Sequence, residues 1–467
     1  MNMAGEKSSH ISMLHKLVSL GLILCPKLHR PLKITDDGRF ATAGGPLWKI
    51  QNGALDLYGN YSAGNDGHFE DTELTNAVFS ALEFPDRPEI RAAVARAVAD
   101  TAMVAADPAY SAEIAELADR LGLPRSGQMT MPSAPNISIE SSDRNREVRI
   151  SFESTFIESV LPPGRLLRRS VRIRNDGSSV ISSKTNNPVN ISYHWLDTEG
   201  NIVQWDGARS PLPVDLQPGG KVTVICDIET PAKAGHYRLQ FQPVIEGMYW
   251  VEGNLLTREV TIDPDPPDRL PLAPSGRDYD YQEDHAVGLS MIVRYMNDKH
   301  ADGPCRILEV GGGIHPQSAA LMAHDCEVIS IDISFAMSQL GQLYFDHVAW
   351  DKKRNISFIS CDAHAPPFAV ATFDGIIIFS ALHHFAEPQR LLGNLRRVLK
   401  PDGFIAVMCE PCHPDRGDAM YLRDLSKGIN EQCWSVEEYA EIFFLAGLKL
   451  ASGQLDGGSL KVILVGR

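Results

Sequence analysis

From Arg306 onward the sequence alternates short apolar runs with helical stretches, and this alternation limits the fold more than any other feature. The runs are Arg306 to Val310, Glu327 to Ile331, Ile356 to Ser360, Gly375 to Phe379 and Phe404 to Met408. A last pair, Leu448 to Gly453 and Lys461 to Val465, closes the set. Runs dense in Val, Ile and Leu are what strands buried on both faces of a parallel sheet require. Helices then cover both sides, beginning with Gln282 to Met296. Ligands of such sheets bind outside the carboxyl ends of the strands.

Four features fall at those ends. Ile307-Leu308-Glu309-Val310-Gly311-Gly312-Gly313 ends the first strand, and glycine there lets backbone approach a cofactor without a Cβ collision. Asp332 ends the second strand roughly 20 residues on, where a carboxylate accepts from ribose hydroxyls. Cys361-Asp362-Ala363 follows the third strand. Phe373 to Ser380 leads into Ala381-Leu382-His383-His384, and Leu399-Lys400-Pro401-Asp402-Gly403 opens the next strand. A glycine-rich turn alone would be an ordinary tight turn. In this order the four together resemble the class I S-adenosylmethionine-dependent methyltransferases of the ubiquinone-biosynthesis-like subgroup, over about Tyr279 to Arg467. His315 stands where that family usually has a further glycine, and the nicotinamide fingerprint does not fit.

The resemblance implies a Rossmann-like α/β domain and S-adenosyl-L-methionine as cofactor. Its contacts would be Glu309, Gly311, Gly313, Asp332, Ile333, Asp362, Ala363 and Ser380, with Asp362 toward the adenine amino group. Methyl transfer is an in-line displacement, so alignment supplies much of the rate. An alcohol acceptor also gains from a base. His383 and His384 are candidates for it by position and by the usual histidine pKa. Packing and loop hydrogen bonding are the plain alternative for both. Glu410 and Glu431 are further candidates, and Asn430-Glu431 either caps the helix Val436 to Ala446 or reaches the acceptor.

At 467 residues the chain exceeds one ordinary core, and its texture changes along its length. Residues 1–60 read as a small strand-rich domain, with strands over Leu17 to Cys25, Pro31 to Ile34, Leu47 to Ile50 and Ala54 to Leu57. Residues 61–135 read as a helical segment and loop. One helix carries Ile90, Ala93, Val94, Ala97 and Val98, and another Ile114, Leu117 and Leu121. Together these make a small N-terminal α+β unit. "LGLILCPKLHRPLKI" and "GPLWKIQNGALDLYG" are similar to the activator subunits that partner tRNA and release-factor methyltransferases, which implies a folding or protein-docking role.

Residues 136–264 alternate apolar and polar positions through Val148, Ile150 and Phe152, Ile191, Tyr193 and Trp195, Val222, Val224, Cys226 and Ile228, and Tyr237, Leu239 and Phe241. Turn signals between them indicate an all-β antiparallel sandwich. The stretch from Ile191 to Gly253 resembles an immunoglobulin-like module of bacterial surface-polysaccharide assembly proteins. That likeness implies a sugar or glycan acceptor, with Trp195, Trp205, Tyr249 and Trp250 as a platform for sugar rings. By period alone Trp195 faces inward as core. Residues 265–278, proline-rich and charged, form a linker, and 279–467 is the methyltransferase-like domain.

The formal net charge of −15 argues against nucleic acid as partner. No apolar run approaches the roughly 20 residues that span a bilayer, and the start does not resemble a signal peptide, so the cytoplasm is expected. The eight cysteines are mostly dispersed. Cys409-Glu410-Pro411-Cys412-His413 spells a haem-attachment site, but it follows a buried strand and haem attachment normally requires export. No second ligand pair suggests zinc, so no metal is expected. Three functions compete: sugar O-methylation, methylation of a small metabolite or lipid, and non-catalytic glycan binding on a vestigial methyltransferase fold.

Overall fold

The computed structural model describes residues 8–27, 29–35, 40–41, 47–57, 72–104, 148–155, 157, 159–253, 255–265, 272, 281–299, 305–348, 355–412, 430–432 and 434–467. Among these, one sheet takes eleven strands: β1 (Lys33–Ile34), β2 (Phe40–Ala41), β3 (Leu47–Gln51), β4 (Ala54–Asp56), β5 (Arg306–Val310), β6 (Glu327–Asp332), β7 (Ile356–Ser360), β8 (Phe373–Phe379), β9 (Leu399–Pro411), β10 (Leu448–Asp456) and β11 (Ser459–Gly466). Their order across the sheet is β1-β2-β3-β4-β7-β6-β5-β8-β9-β11-β10. Strands β7, β6, β5, β8 and β9 run parallel, β11 pairs antiparallel to β9, and β10 pairs antiparallel to β11. This is the Rossmann-like sheet expected from the strand pattern. Its order reverses between β5 and β8, and that is where ligand clefts open in such sheets.

Seven helices accompany the described strands: α1 (Ser8–Ser19), α2 (Thr72–Ala81), α3 (Pro88–Val104), α4 (Tyr281–Lys299), α5 (Phe335–His347), α6 (Pro388–Val398) and α7 (Val436–Leu445). One core, with Leu308, Ile329, Ile376, Ile405 and Leu464, lies on one face of the sheet. The other, with Ile307, Val328, Ile377, Ala406 and Ile463, lies on the opposite face. The alternation of neighbours between the two clusters is the period-2 geometry of strands buried on both sides.

The N-terminal strands do not stand apart: Leu55 and Asp56 pair with Ile359 and Ser360, so the β3–β4 hairpin extends the parallel sheet at its β7 edge. No strand forms over Leu17 to Cys25. Helix α1 runs to Ser19, because Leu14, Leu17 and Val18 bury one face at helical spacing, and Ile23 then bridges Phe368. The α2–α3 pair buries Val78, Ile90 and Val94 against Met337, Leu340 and Leu343 of α5. The expected helix through Ile114, Leu117 and Leu121, and nearly all of the 265–278 linker, lie outside the described residues.

The middle region forms two further antiparallel sheets. One is built on Val189–Asp197, Gly235–Ile245 and Leu256–Ile262, the other on Lys221–Glu229, Leu166–Asn175 and Ile150–Thr155. They share a core of Val171, Ile173, Ile191, Tyr193, Val224, Ile228, Leu239 and Phe241. Trp195 belongs to this core, its indole N–H donating to the Glu229 carbonyl at 2.8 Å. The smaller sheet meets α7 and the chain before it. Arg169 faces Glu438 at 3.6 Å with both side chains buried, Thr223 Oγ1 donates to Asn430 Oδ1 at 3.1 Å, and Ser159 Oγ donates to Glu441 at 3.3 Å.

Candidate active site

The glycine turn after β5 is a backbone cradle. Gly311 and Gly313 take φ of +73° and +56°, a region only glycine enters without penalty. Gly312 has no such φ, but a Cβ there would sit 2.3 Å from Ser330 Oγ, so it too must be glycine. At Gly311 a Cβ would come within 3.0 Å of the Ala381 Cβ, which shows how closely the ends of β5 and β8 approach at the switch point.

Asp332 closes the turn from β6. Its carboxylate accepts the Gly313 N–H at 3.0 Å and the Ser334 N–H at 2.9 Å. Ser334 in turn caps α5, accepting the Met337 N–H at 3.1 Å. Beside it Ile333 is 60% exposed, a large apolar side chain turned mostly to solvent. Asp362, after β7, is about half exposed and accepts the His364 N–H at 2.8 Å. The hydrogen bond from the His364 side chain holds its carboxyl below the usual carboxylate range. Ala363 is buried next to it.

Glu309 lies differently. It is buried, and its two oxygens accept the N–H groups of Gln317 (2.9 Å) and Ser318 (2.7 Å), with the Ser318 hydroxyl also donating. Burial pushes its pKa up to about 7. Its contacts brace the 3₁₀ segment Gln317–His324 behind the cradle. His315, the departure from the family pattern, is exposed and packs edge-on against Tyr344, ring centroids 4.3 Å apart.

Opposite the cradle, β8 ends at Phe379, and Ser380 and the 3₁₀ turn Leu382–His384 follow. The register of β9 against β11 slips between Val407 and Glu410, and Cys409 sits there at φ +59°. Bulges of this kind re-aim side chains next to sites. Ser380, at φ +45°, donates from Oγ to the Cys409 carbonyl at 3.0 Å, tying the two strand ends together. Glu410 is fully buried and accepts the N–H groups of Ala381 (2.8 Å), Leu382 (2.8 Å) and His383 (3.1 Å). It also accepts from His383 Nδ1 at 2.8 Å and from the Tyr439 hydroxyl at 3.4 Å. A carboxylate can only accept, so His383 carries its proton on Nδ1. Nε2 then faces Glu431, 3.8 Å from Oε2. His384 Nδ1 lies 3.1 Å from the Asn430 carbonyl and 3.5 Å from Glu431 Oε1.

The four residues expected to serve the acceptor therefore meet in one cluster. Asn430 does not cap α7, because Ser435 does so in a reciprocal capping box with Glu438. Asn430 instead donates from Nδ2 to the His384 carbonyl at 2.7 Å. The signature Ser435-Val436-Glu437-Glu438 was the available signal for that cap. Nothing in the local sequence signalled Tyr439 or Asn430 as supports of the histidine turn. Cys409 and Cys412, the two cysteines of the haem-like spelling, are both buried within or next to β9.

Comparison with known proteins identifies the domain that carries these residues. Residues 308–407 match the methyltransferase domain family. The C-terminal region is a class I S-adenosylmethionine-dependent methyltransferase domain. It is similar to the demethylmenaquinone methyltransferase of Clavibacter sepedonicus, 33% identical over 129 residues, which are 27% of this chain and 50% of that protein. It is also similar to the ubiquinone/menaquinone biosynthesis C-methyltransferase of Coxiella burnetii, 33% identical over 107 residues, 22% of this chain and 42% of that one. A solved S-adenosylmethionine-dependent methyltransferase from Aquifex aeolicus is 17% identical, covers 40% of this chain and 98% of its own, and has a TM-score of 0.31. The chain spans about half the length of the curated relatives it matches.

The family implies S-adenosylmethionine as cofactor, and the residues present fit it. Glycines bring the backbone close at the end of β5, two carboxylates stand at the ends of β6 and β7, and Ile333 next to Asp332 is an exposed apolar side chain.

Proposed function

We propose that the protein O-methylates a sugar, on a surface polysaccharide or a glycolipid precursor, with S-adenosylmethionine as donor, and that it does so in the cytoplasm. The observation that carries the methyltransferase part is the meeting of the cradle, Asp332, Asp362 and the histidine turn at the carboxyl ends of β5 to β9. The cofactor supplies a methyl carbon on a sulfonium, open to displacement. Gly311 and Gly313 admit its amino-acid portion, Asp332 takes the ribose hydroxyls, Asp362 faces the adenine amino group, and Ile333 and Ala363 line the ring. Glu309 acts from behind, as a brace of the turn. Acceptor activation falls to the cluster of His383, His384 and Glu431, with Glu410 fixing the first ring.

The sugar part draws on the middle region, which we read as an immunoglobulin-like sandwich of the polysaccharide-assembly kind. Trp205 is 44% and Tyr249 47% exposed. Trp205 stacks on His194 with centroids 4.0 Å apart, and Arg209 lies 5.0 Å over the Trp250 ring. Exposed aromatics with polar rims suit sugar rings. A second reading, methylation of a quinone-like small molecule, is favoured by the names of the relatives from Clavibacter and Coxiella. The N-terminal strands, which resemble activator subunits, we read as a built-in brace of the β7 edge and a docking face for other proteins.

The test is a titration with S-adenosylmethionine followed by transfer of labelled methyl into fractionated glycans, lipids and small metabolites. Label in the glycan fraction, lost in Trp205→Ala, supports the sugar reading. Label confined to small aromatic metabolites replaces it with the second. Absence of cofactor binding leaves only a non-catalytic scaffold.

A further inference from the structure

Sequence reading alone expects no metal, because the zinc-like spacing has no second ligand pair. The fold brings together a set that the spacing hides. One ring nitrogen of His383, one of His384 and one oxygen of Glu431 lie within 4.8 Å of one another. His383 Nε2 is 3.8 Å from one Glu431 oxygen, and His384 Nδ1 is 3.5 Å from the other. Two imidazoles and a carboxylate around a tetrahedral ion stand roughly 3.3–3.6 Å apart, given bonds of about 2.0–2.2 Å. His384 Nδ1 already stands in that range of Glu431, and His383 Nε2 lies about 0.2 Å beyond it.

The surroundings of His383 are those of a metal-ligating histidine. Such a ring almost always donates its other N–H to a carboxylate or a backbone carbonyl, which fixes its orientation and strengthens it as a ligand. His383 Nδ1 donates to Glu410, a carboxylate locked by three backbone N–H groups of the same turn. On His384 the nitrogen beside Glu431 is Nδ1, so ligation replaces its 3.1 Å contact to the Asn430 carbonyl, while the Asn430 amide keeps holding the His384 carbonyl at 2.7 Å. His383 and Glu431 are each 8% exposed while His384 is partly open, so the ligands are preorganised and the cluster is reachable from one side.

We propose that His383, His384 and Glu431 bind one divalent first-row transition ion. Two nitrogens and one oxygen suit ions of the zinc, cobalt and manganese series and leave coordination positions open. With one anionic ligand the bound ion keeps a net positive charge, which favours an oxygen of the acceptor as a further ligand. That last role rests on the methyltransferase reading; the binding of the ion does not.

The probe is Co²⁺ added to the chelator-treated full-length protein, read by titration calorimetry and by its visible absorption. One ion per chain is expected, with an absorption spectrum of nitrogen and oxygen ligation and no thiolate charge-transfer band. His384→Ala and Glu431→Gln should each weaken binding at least 10-fold while S-adenosylmethionine affinity and the melting temperature report an intact fold. Glu410→Gln, which removes the carboxylate behind His383, should weaken it by about 10–100-fold. No stoichiometric binding, a thiolate spectrum, or affinity unmoved in the His384 and Glu431 variants overturns the proposal. If the cofactor binds and the ion does not, the metal site fails and the methyltransferase reading stands. If the ion binds and the cofactor does not, the reverse holds.

Discussion

The proposed cofactor and acceptor walls of the site are built on different principles. The cofactor wall consists of short segments, each at the end of its own strand, and their contacts are largely backbone: Gly313 to Asp332, Ser334 to Asp332, His364 to Asp362. The acceptor wall consists of side chains drawn from three places, the 383–384 turn, Glu410 in β9, and Asn430 with Glu431 before α7. It is also the wall the middle region touches, through Thr223 on Asn430 and Arg169 on Glu438. A site of the first kind depends on its own turns. One of the second kind depends on everything that holds distant segments in register. The difference teaches where a perturbation will be felt: contacts made by the middle region should matter to the acceptor and hardly to the cofactor.

The largest effect should come from His383→Ala. We expect turnover on the identified acceptor to drop by about 10²–10⁴-fold, the usual scale for losing a positioned group of this kind. Cofactor affinity should stay nearly unchanged, as measured by titration. Equal losses in both quantities would erase the distinction between the walls.

Arg169→Ala probes the brace from the middle region. It removes the cation beside Glu438, which is fully buried and keeps neutral donors such as the Ser435 N–H, and such removals cost about 3–5 kcal/mol. Chemical denaturation should register that loss, and turnover should fall with it while cofactor binding in the surviving folded fraction is retained. Unaltered stability would mean that the contact is not formed in solution.

Glu309 tests the cofactor wall through pH. Unfolded, its carboxyl titrates near its ordinary 4.5; folded, burial puts it near 7. The folded state therefore holds an extra proton between those values. The corresponding stability is fully present below about pH 4.5 and is lost as pH rises toward 7, by about 3 kcal/mol for a shift of this size. Glu309→Gln should remove that slope, so the stabilities of wild type and variant should diverge steadily between pH 5 and 7.5. Parallel pH curves would show that Glu309 is not buried as described.

The smallest effect is expected from Asp332→Ala. Losing hydrogen bonds to a charged group costs on the order of 1.5–3 kcal/mol each, so cofactor affinity should weaken by roughly 10–100-fold. Turnover at saturating cofactor should recover most of its value. A dissociation constant equal to wild type would remove Asp332 from the ribose site.

Much of the parallel sheet and of the turns at its strand ends was legible in the sequence, because these are periodic or local. Strands β5, β6 and β7 fall within one residue of where their apolar runs place them, and the glycine turn and Asp332 follow from strand ends. The local reading still misjudged Leu17 to Cys25, whose first residues share a helical face with Leu14. It also left open whether Asn430-Glu431 caps α7, a role that Ser435 carries.

The sequence by itself determined which stretches become strands of a doubly covered parallel sheet, where the backbone must be glycine, and which carboxylates stand at the strand ends. Those properties depend on residue type and period. The tertiary structure alone decided that β4 pairs with β7 and that the middle region rests on α7. It also decided that His383, His384, Glu410 and Glu431 share one cluster. The physical reason is that edge pairing, docking and ligand geometry are fixed by contacts between residues tens to hundreds of positions apart. No local pattern encodes such a contact until the sheet has set the distances.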